Sequence, residues 1–155
     1  IHLGGVCSII KVRQAYLCLT DHKDHPLARE KKLDFNLLRK DRFISVGEAD
    51  SPILTKAAQK FFQENKFRPY TTWRCENPEA VGLEVSAGMG YAVLPDSMAD
   101  AYPDTVFIPV KSEATMRTEV VAWKTEMANP AAMRFLDVLV ELYGKNGLNN
   151  ELNIK

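Results

Sequence analysis

Apolar runs alternate with amphipathic stretches along the middle of the chain, and this order predicts the secondary structure. Short apolar runs are typical of strands, and they predict strands at 15–20, 43–46, 70–75, 91–95, 106–110 and 118–123. Apolar residues at helical spacing predict helices over 52–65 and 129–143. Trp73 and Trp123 lie on predicted strands and are expected in the core. Strands that alternate with helices favour an α/β fold with helices on both faces of a sheet.

The stretch from Asn77 to Pro95 contains a helix start, a helix stop and a strand in direct succession. Asn77 is a favourable N-cap, and Pro78 follows at the first helical position, where a missing backbone N–H costs nothing. Gly88 is predicted to adopt the left-handed conformation that ends the helix. Gly88 and Gly90 form a Gly-x-Gly pair, but a dinucleotide fingerprint has a strand before its glycines and a helix after them. The reversed order here argues against nucleotide binding.

Composition narrows the classes of protein that fit this pattern. The chain of 155 residues is 46% hydrophobic, and its 20 basic and 20 acidic residues give a net charge of zero, so it carries no electrostatic footprint for nucleic acid. Cys7, Cys18 and Cys75 lack CxxC spacing, which favours a reducing, cytoplasmic compartment in which they act as small buried hydrophobes. No apolar run approaches a membrane span and no signal peptide is evident, so no membrane partner is expected.

Side chains that could carry chemistry cluster in the segment from Asp21 to His25. Its imidazoles and carboxylates could supply metal ligands. No cysteine or further ligand pattern completes such a site, so the segment is expected to be a solvated loop in which His25 and Pro26 end the strand. The chain has three histidines and shows no nucleophile with a base and an orienting group. We therefore expect no catalytic activity, no metal site and no cofactor.

The loop 47–52 follows a predicted strand and precedes a predicted helix, which is where open α/β sheets bind ligands. Asp50 or Ser51 is predicted to cap that helix, and its first N–H groups could receive an anion. Glu48 and Asp50 would repel an anion unless they point away, so ligand contact and an ordinary capped loop both stay open. The same reasoning applies more weakly to Asn77 and to the corner at Gly88.

Several motifs occur together in an order that resembles one family. They are a strand followed by Asp24-His-Pro-Leu-Ala28, then Phe43-Ile44, Phe61-Phe62, Asn77-x-Glu79-Ala80, Val85-x-Ala87-Gly88-x-Gly90-Tyr91, Leu94-Pro95 and Ile108-Pro109-Val110. Their order and spacing matter more than any single motif. Over about 15–143 the chain resembles the effector-binding domain of LysR-type transcriptional regulators.

The resemblance implies an α/β fold like that of type-II periplasmic binding proteins, in which two lobes are joined by two crossing strands. By that comparison the chain holds one complete lobe plus part of a second. Lobe two would comprise 15–109, lobe one would receive 1–14 and 110–143, and 144–155 would be a polar C-terminal tail. The family's winged helix-turn-helix, its linker helix and the first half of lobe one are expected to lie outside this sequence. Such a partial lobe should expose apolar surface.

The resemblance also implies a small-molecule effector bound between the lobes, for which the fold favours an organic anion. The family's effector contacts on lobe two fall here on Ser45, Gly47, Ser51, Pro52, Ile53, Val85, Gly88 and Met89. Effector binding would shift a homodimer or homotetramer between arrangements that hold DNA differently. DNA would be bound only by the absent N-terminal domain.

Two other classes of protein remain as alternatives. A periplasmic type-II solute-binding protein has the same two-lobe architecture, although the unpaired cysteines and the DHPLA segment argue against it. A small α/β enzyme would need the nucleophile, base and orienting group that the sequence does not show. Transcription regulation is the favoured interpretation.

Overall fold

A computed structural model describes residues 7–30, 32–110, 112–113, 115–124 and 129–143. Within them the elements are β1 (Cys7–His22), β2 (Arg42–Val46), α1 (Pro52–Glu64), β3 (Thr71–Cys75), α2 (Pro78–Ser86), β4 (Ala92–Pro95), β5 (Thr105–Pro109), β6 (Met116–Lys124) and α3 (Pro130–Tyr143). Short 3-10 helices cover Pro26–Arg29 and Asp96–Ala101. The described residues divide into two compact units, a larger one within Tyr16–Met116 and a smaller one within Ile1–Ala15 and Arg117–Lys155.

The second half of β1 is the central strand of the larger unit. It pairs antiparallel with β4 on one side, where Cys18 lies opposite Leu94, and antiparallel with β5 on the other, where Asp21 lies opposite Val106. The strand predicted at 15–20 is therefore present, and the prediction ends two residues too early, because pairing with β5 continues to His22.

A parallel pair of strands, β2 and β3, forms the other part of the sheet system in this unit. A bridge between Phe43 and Tyr91 connects β2 to the residue that precedes β4. The Ile44 N–H donates to the Tyr91 carbonyl at 2.8 Å, and the Tyr91 N–H donates to the Arg42 carbonyl at 3.0 Å. β2 therefore lies between β3 and the start of β4.

Successive apolar side chains of β2 and β4 point to opposite faces of the strands and belong to two different core clusters. The buried members of the first are Leu17, Leu19, Leu27, Leu38, Phe43, Ala57, Ala58, Phe61, Phe62, Tyr91 and Val93. Those of the second are Ile44, Val46, Val81, Val85, Ala92 and Leu94. Because neighbours along a strand point to opposite faces, α1 and α2 cover opposite faces of the strands. The predicted α/β arrangement with helices on both faces is confirmed.

The helix boundaries in the larger unit follow the predicted start and stop signals. Asn77 Oδ1 accepts the Ala80 N–H at 2.8 Å, and Gly88 ends the segment with φ of 71°. Pro52 is the first residue of α1, and Ser51 occupies the N-cap position, but the Ser51 side chain makes no capping hydrogen bond. Of the two predicted caps, only Asn77 acts through its side chain.

In the smaller unit, β1 pairs with β6. Arg13 donates to both carboxylate oxygens of Glu119, at 2.8 and 3.1 Å, and Gln14 Nε2 donates to the Arg117 carbonyl at 2.9 Å. The helix α3 forms as predicted, and Leu136 is its buried residue. Its exposed apolar side chains are Met133, Phe135, Val138, Val140, Leu142 and Tyr143. The predicted stop at Gly144 and the tail 144–155 lie outside the described residues, as do residues 1–6.

Candidate functional site

A tight turn joins the carboxyl end of β2 to α1. The Gly47 carbonyl accepts the N–H groups of Asp50 at 3.1 Å and Ser51 at 3.0 Å, while the Gly47 N–H donates to the Cys75 carbonyl at 3.3 Å. A Cβ atom on Gly47 would come within 2.5 Å of Asp50 Oδ2, so a larger residue there would displace the exposed Asp50 carboxylate. The Ser51 carbonyl accepts the Thr55 hydroxyl at 3.0 Å. These contacts hold the start of α1 against the ends of β2 and β3.

The start of α2 lies at the same end of the parallel pair. β3 ends at Cys75 and α2 begins at Pro78, so little chain separates them. The first N–H groups of α1 and α2 therefore lie at the carboxyl end of the strands, where helix starts favour an anion. Glu79 in the first turn of α2 opposes a highly charged anion at this position.

A cavity of about 430 Å³ lies between α1 and the β2–β3 pair. Its walls are largely apolar, and they include Phe43, Ile44, Leu54 and Phe62. The polar groups that line it are Ser45, Glu48, Thr55, Gln59, Arg68, Tyr70, Thr72 and Arg74. A concave lining that combines apolar side chains with polar groups is typical of small-molecule sites.

Two of these polar residues are neighbours across the strands. Ser45 lies opposite Arg74 in the register of the parallel pair, and both line the cavity. A residue with a hydroxyl and a residue with a guanidinium are thereby neighbours on two paired strands, and the Arg74 side chain is exposed. The guanidinium fork matches the two oxygens of a carboxylate, so the arrangement suits an organic anion.

The predicted effector residues at the carboxyl end of β2 are brought together by the turn. Ser45 lines the cavity, whereas Gly47, Ser51, Pro52 and Ile53 form the turn and the helix start beside it. Ile53 is 68% exposed and so projects into solvent.

The remaining predicted residues lie elsewhere. Gly88 and Met89 line a second cavity, of about 360 Å³, at the amino end of β2, which begins at Arg42. The strand from there to Gly47 spans about 16 Å, so a small molecule at one end does not reach the other. Val85 is fully buried in the second core cluster, where its side chain packs rather than facing a cavity.

The second cavity contains the cluster of Asp21, His25 and Asp41. Asp21 is only 4% exposed. His25 Nδ1 lies 2.9 Å from Asp21 Oδ2, and His25 Nε2 lies 3.1 Å from Asp41 Oδ2. Burial raises the pKa of the Asp21 carboxyl to about 6, although the neighbouring His25 opposes this shift. The predicted solvated loop is wrong for Asp21, because β1 continues to His22 and buries this residue, whereas His25 follows the strand and is half-buried.

The thiol groups agree with a structural role where the structure describes them. Cys18 is 1% exposed, and burial raises the pKa of its thiol to about 11. Cys75 is half-buried, and burial raises the pKa of its thiol as well. The side chain of Cys7 is not among those that the structure describes. Cys18 in particular is protected from reaction as a thiolate.

The outer strand β3 and the residue just before it expose aromatic side chains. Trp73 is 51% exposed and Tyr70 is 81% exposed. The expectation of a core position is therefore wrong for Trp73, because β2 is the partner of β3 in a two-stranded arrangement and the other edge of β3 is unpaired among the described residues. The Arg42 guanidinium lies 5.6 Å from the centre of the Trp73 ring. Trp123 on β6 is half-buried.

Among the described residues, no group of three or more His, Cys, Asp or Glu side chains is arranged to hold a metal ion. Within the same part of the chain, no helix has both the length and the apolar character needed to cross a membrane.

The sequence matches the LysR substrate binding domain family over residues 8–144. The transcriptional dual regulator GltC of Bacillus subtilis (strain 168) is 30% identical over 125 residues, which cover 79% of this chain and 41% of that protein. The HTH-type transcriptional regulator ShiR of Corynebacterium glutamicum (strain R) is 25% identical over 127 residues, which cover 81% of this chain and 43% of that protein. The chain spans about two fifths of the length of these curated relatives.

Solved structures share the fold at low sequence identity. The CcmR regulatory domain of Synechocystis PCC6803 in complex with 2-PG has a TM-score of 0.74 and 19% identity, covering 94% of this chain and 71% of that one. The effector binding domain of QuiR in complex with shikimate has a TM-score of 0.66 and 18% identity, covering 96% of this chain and 70% of that one. These similarities confirm the predicted type-II periplasmic-binding-protein-like α/β fold.

The curated relatives also distinguish between two classes of protein that the sequence left open, a transcriptional regulator and a periplasmic solute-binding protein. Both are transcriptional regulators, so the periplasmic solute-binding alternative is not favoured. The predicted resemblance is confirmed by the family match, which covers most of the chain. The chain belongs to the LysR substrate-binding domain family of transcriptional regulators.

Proposed function

We propose that this chain is the ligand-sensing and oligomerisation domain of a transcriptional regulator, and that it binds a small organic anion at the carboxyl end of β2 and β3. The observation that carries the proposal is the cavity of about 430 Å³ in which Ser45 and Arg74 lie opposite each other across the strands. The site residues Gly47, Ser51 and Pro52 belong to the same end of the sheet.

The chemistry of the lining indicates what the anion must offer. Arg74 provides a two-pronged donor for a carboxylate, and the Ser45 hydroxyl can donate to or accept from a second polar group. Glu48 lines the same cavity, and as an acceptor it favours a ligand that also carries a hydroxyl or ammonium group. Leu54 and Phe62 supply apolar contact for the carbon skeleton. The favoured ligand is therefore a compact, hydroxylated or amino-substituted carboxylate.

The similar proteins of known structure support a small-molecule effector. They include the CcmR regulatory domain in complex with 2-PG, the QuiR effector binding domain in complex with shikimate and the BenM effector binding domain with benzoate. The predicted contacts at Gly88 and Met89 lie at the other end of β2, so they are not part of this proposed pocket.

DNA binding is proposed for a part of the regulator outside this sequence. The curated relatives are more than twice as long as the matched region, and full-length CbnR has been solved in complex with its target DNA. In this chain the balanced charge gives no footprint for DNA. Effector binding would change the arrangement of subunits by stabilising one of the available assemblies.

The assembly itself is proposed to be a homodimer or a homotetramer. The exposed aromatic residues Trp73 on the outer strand β3 and Tyr70 just before that strand, together with Ile53 on α1, supply apolar surface of the kind found in subunit interfaces. Sedimentation of the full-length protein tests this directly. A dimer or tetramer is expected, and a monomer at every concentration would contradict it.

A thermal-shift screen of the full-length regulator against hydroxy acids, amino acids, aromatic acids and uncharged sugars tests the effector proposal. An acid present at 100 times its dissociation constant should stabilise the domain by about 2.7 kcal/mol, which raises its melting temperature by a few degrees. Stabilisation by uncharged sugars alone would contradict the proposed anion site. A well-folded regulator that responds to none of these compounds would contradict sensing of this ligand class.

A further inference from the structure

We propose that Asp21, His25 and Asp41 share one proton that holds the corner Gly88–Gly90 in place, so that the amino end of β2 responds to pH. The inference is independent of the proposed effector pocket, whose lining shares no residue with this cluster. It depends on three contacts around one imidazole ring and on the packing of the corner against Arg42.

The two carboxylate contacts of His25 need one proton more than a neutral ring and two charged carboxylates contain. Each ring nitrogen faces a carboxylate oxygen, at 2.9 Å for Asp21 and 3.1 Å for Asp41. A neutral imidazole has one N–H and one lone pair. With both aspartates charged, one of the two carboxylates would therefore face a lone pair, whichever tautomer forms. An additional proton, on the ring or on Asp21, removes that repulsion.

Asp21 has little else to compensate its charge. Its Oδ1 accepts the His22 N–H at 2.7 Å. Among the described residues its Oδ2 has no hydrogen-bond donor apart from the His25 ring. The Leu27 N–H also points at His25 Nδ1, at 3.3 Å, as the cap of the following 3-10 helix. Nδ1 can accept from Leu27 only when it carries no proton; in that arrangement the shared proton lies on Asp21, and the Asp21 and Leu27 donors share the one Nδ1 lone pair.

The corner Gly88–Gly90 is coupled to this cluster through the backbone. Asp41 immediately precedes Arg42, whose carbonyl accepts the Tyr91 N–H at 3.0 Å. A Cβ atom on Gly90 would lie 2.2 Å from that carbonyl oxygen, so the corner packs directly on the Arg42 peptide. Gly88, Met89 and Gly90 also line the cavity that contains the cluster. A displacement of Asp41 would therefore move the surface against which the corner packs.

Tyr91 gives a second connection between the corner and the two carboxylates. Its ring is fully buried, and its hydroxyl has no hydrogen-bond partner among the described residues. Burial raises the pKa of the phenol, and the charges of Asp41 and Asp21 raise it further. A second negative charge in the cluster thus acts on a residue that is adjacent to Gly90.

Most other charged groups around the cluster are exposed. Lys40 and Arg42 line the cavity and are exposed. The His22 side chain is half-buried, and its Nδ1 lies 3.8 Å from Oδ2 of the exposed Asp24. On the β5 side, Lys23 pairs with Asp104 at the surface. Solvent screens the exposed charges, so they adjust the pH at which the shared proton leaves but do not take the place of that proton.

Methionine-methyl NMR of the full-length protein tests this inference. The Met89 methyl signal is assigned by its loss in M89L and is then followed from pH 5 to pH 8. The wild-type signal should shift in one step near pH 6. The variant D21N should show no step, because the asparagine amide donates to His25 Nδ1 at every pH and so imitates the protonated carboxyl. The step should persist in D24N, a matched exposed aspartate, and in H22Q, which removes the other nearby imidazole.

A wild-type signal that does not titrate would overturn the inference, as would an unchanged step in D21N or loss of the step in H22Q. If D21N does not fold, D41N decides the question. Since the charge of Asp41 raises the pKa of Asp21, D41N should move the step to lower pH. An unchanged midpoint in folded D41N would likewise overturn the inference.

Discussion

Ser45 and Arg74 lie opposite each other in the parallel β2–β3 pair, and both face the cavity beside α1. This relationship depends on register, because a shift of one residue would turn Arg74 to the other face of the strands. The turn at Gly47 fixes the end of β2 through its hydrogen bond to Cys75. The proposed anion site is thus held by the backbone of two strands and one turn.

The caps of the two helices should differ in their contribution to stability. Asn77→Ala should lower the free energy of unfolding by about 1 kcal/mol, because it removes the acceptor of the Ala80 N–H. Ser51→Ala should change it by less than about 0.5 kcal/mol, because the Ser51 side chain makes no capping bond. Urea unfolding of both variants checks this. Equal losses would show that the two caps are equivalent.

The two glycines of the corner should tolerate substitution differently. In Gly90→Ala the new Cβ would meet the Arg42 carbonyl oxygen at 2.2 Å, with φ at 152°, so we expect a loss of about 3 kcal/mol or more. Gly88 has φ of 71°, and a Cβ atom on it would meet no other atom within 4 Å, so Gly88→Ala should cost about 1 kcal/mol. Thermal unfolding ranks the two, and a larger cost at Gly88 would contradict the packing described for Gly90.

Stability should fall as the pH rises through about 6, because of Asp21. Burial raises the pKa of this carboxyl from 3.8 to about 6, so the folded protein binds a proton between these values that the unfolded chain has released. The free energy of unfolding then decreases with increasing pH across that window. Denaturant titrations from pH 4 to pH 7.5 on wild type and D21N isolate this contribution. A difference between the two proteins that does not change with pH would contradict it.

Local signals predicted the helix starts and the corner. Asn77, Pro78 and Gly88 act through their own backbone and nearest neighbours, so their roles do not depend on the rest of the fold. Apolar runs along the sequence indicated the strands, because these runs too are local features. The fold family then followed from the order of these motifs along the chain, and the family match over residues 8–144 confirms it.

The site required information that local patterns do not carry. Arg74 was missed because its position opposite Ser45 depends on the pairing of two strands that are separated by α1. Asp21 was expected in solvent because its burial depends on pairing between β1 and β5. Trp73 was expected in the core because the sequence does not show that β3 has one strand partner. In each case tertiary pairing, rather than composition, decided the environment.

Calorimetric titration of the full-length regulator with its best-stabilising acid tests the central claim most directly, by comparing wild type with R74Q and R29Q. Arg29 is exposed on a 3-10 helix and is absent from the lining of the proposed pocket, so it controls for the loss of one positive charge. Loss of a charge-assisted hydrogen bond at Arg74 should weaken binding by about 1.5–3 kcal/mol, which is roughly 10-fold to 150-fold in dissociation constant. R29Q should bind as wild type does. Equal affinities for R74Q and wild type would show that the anion does not bind between α1 and the β2–β3 pair.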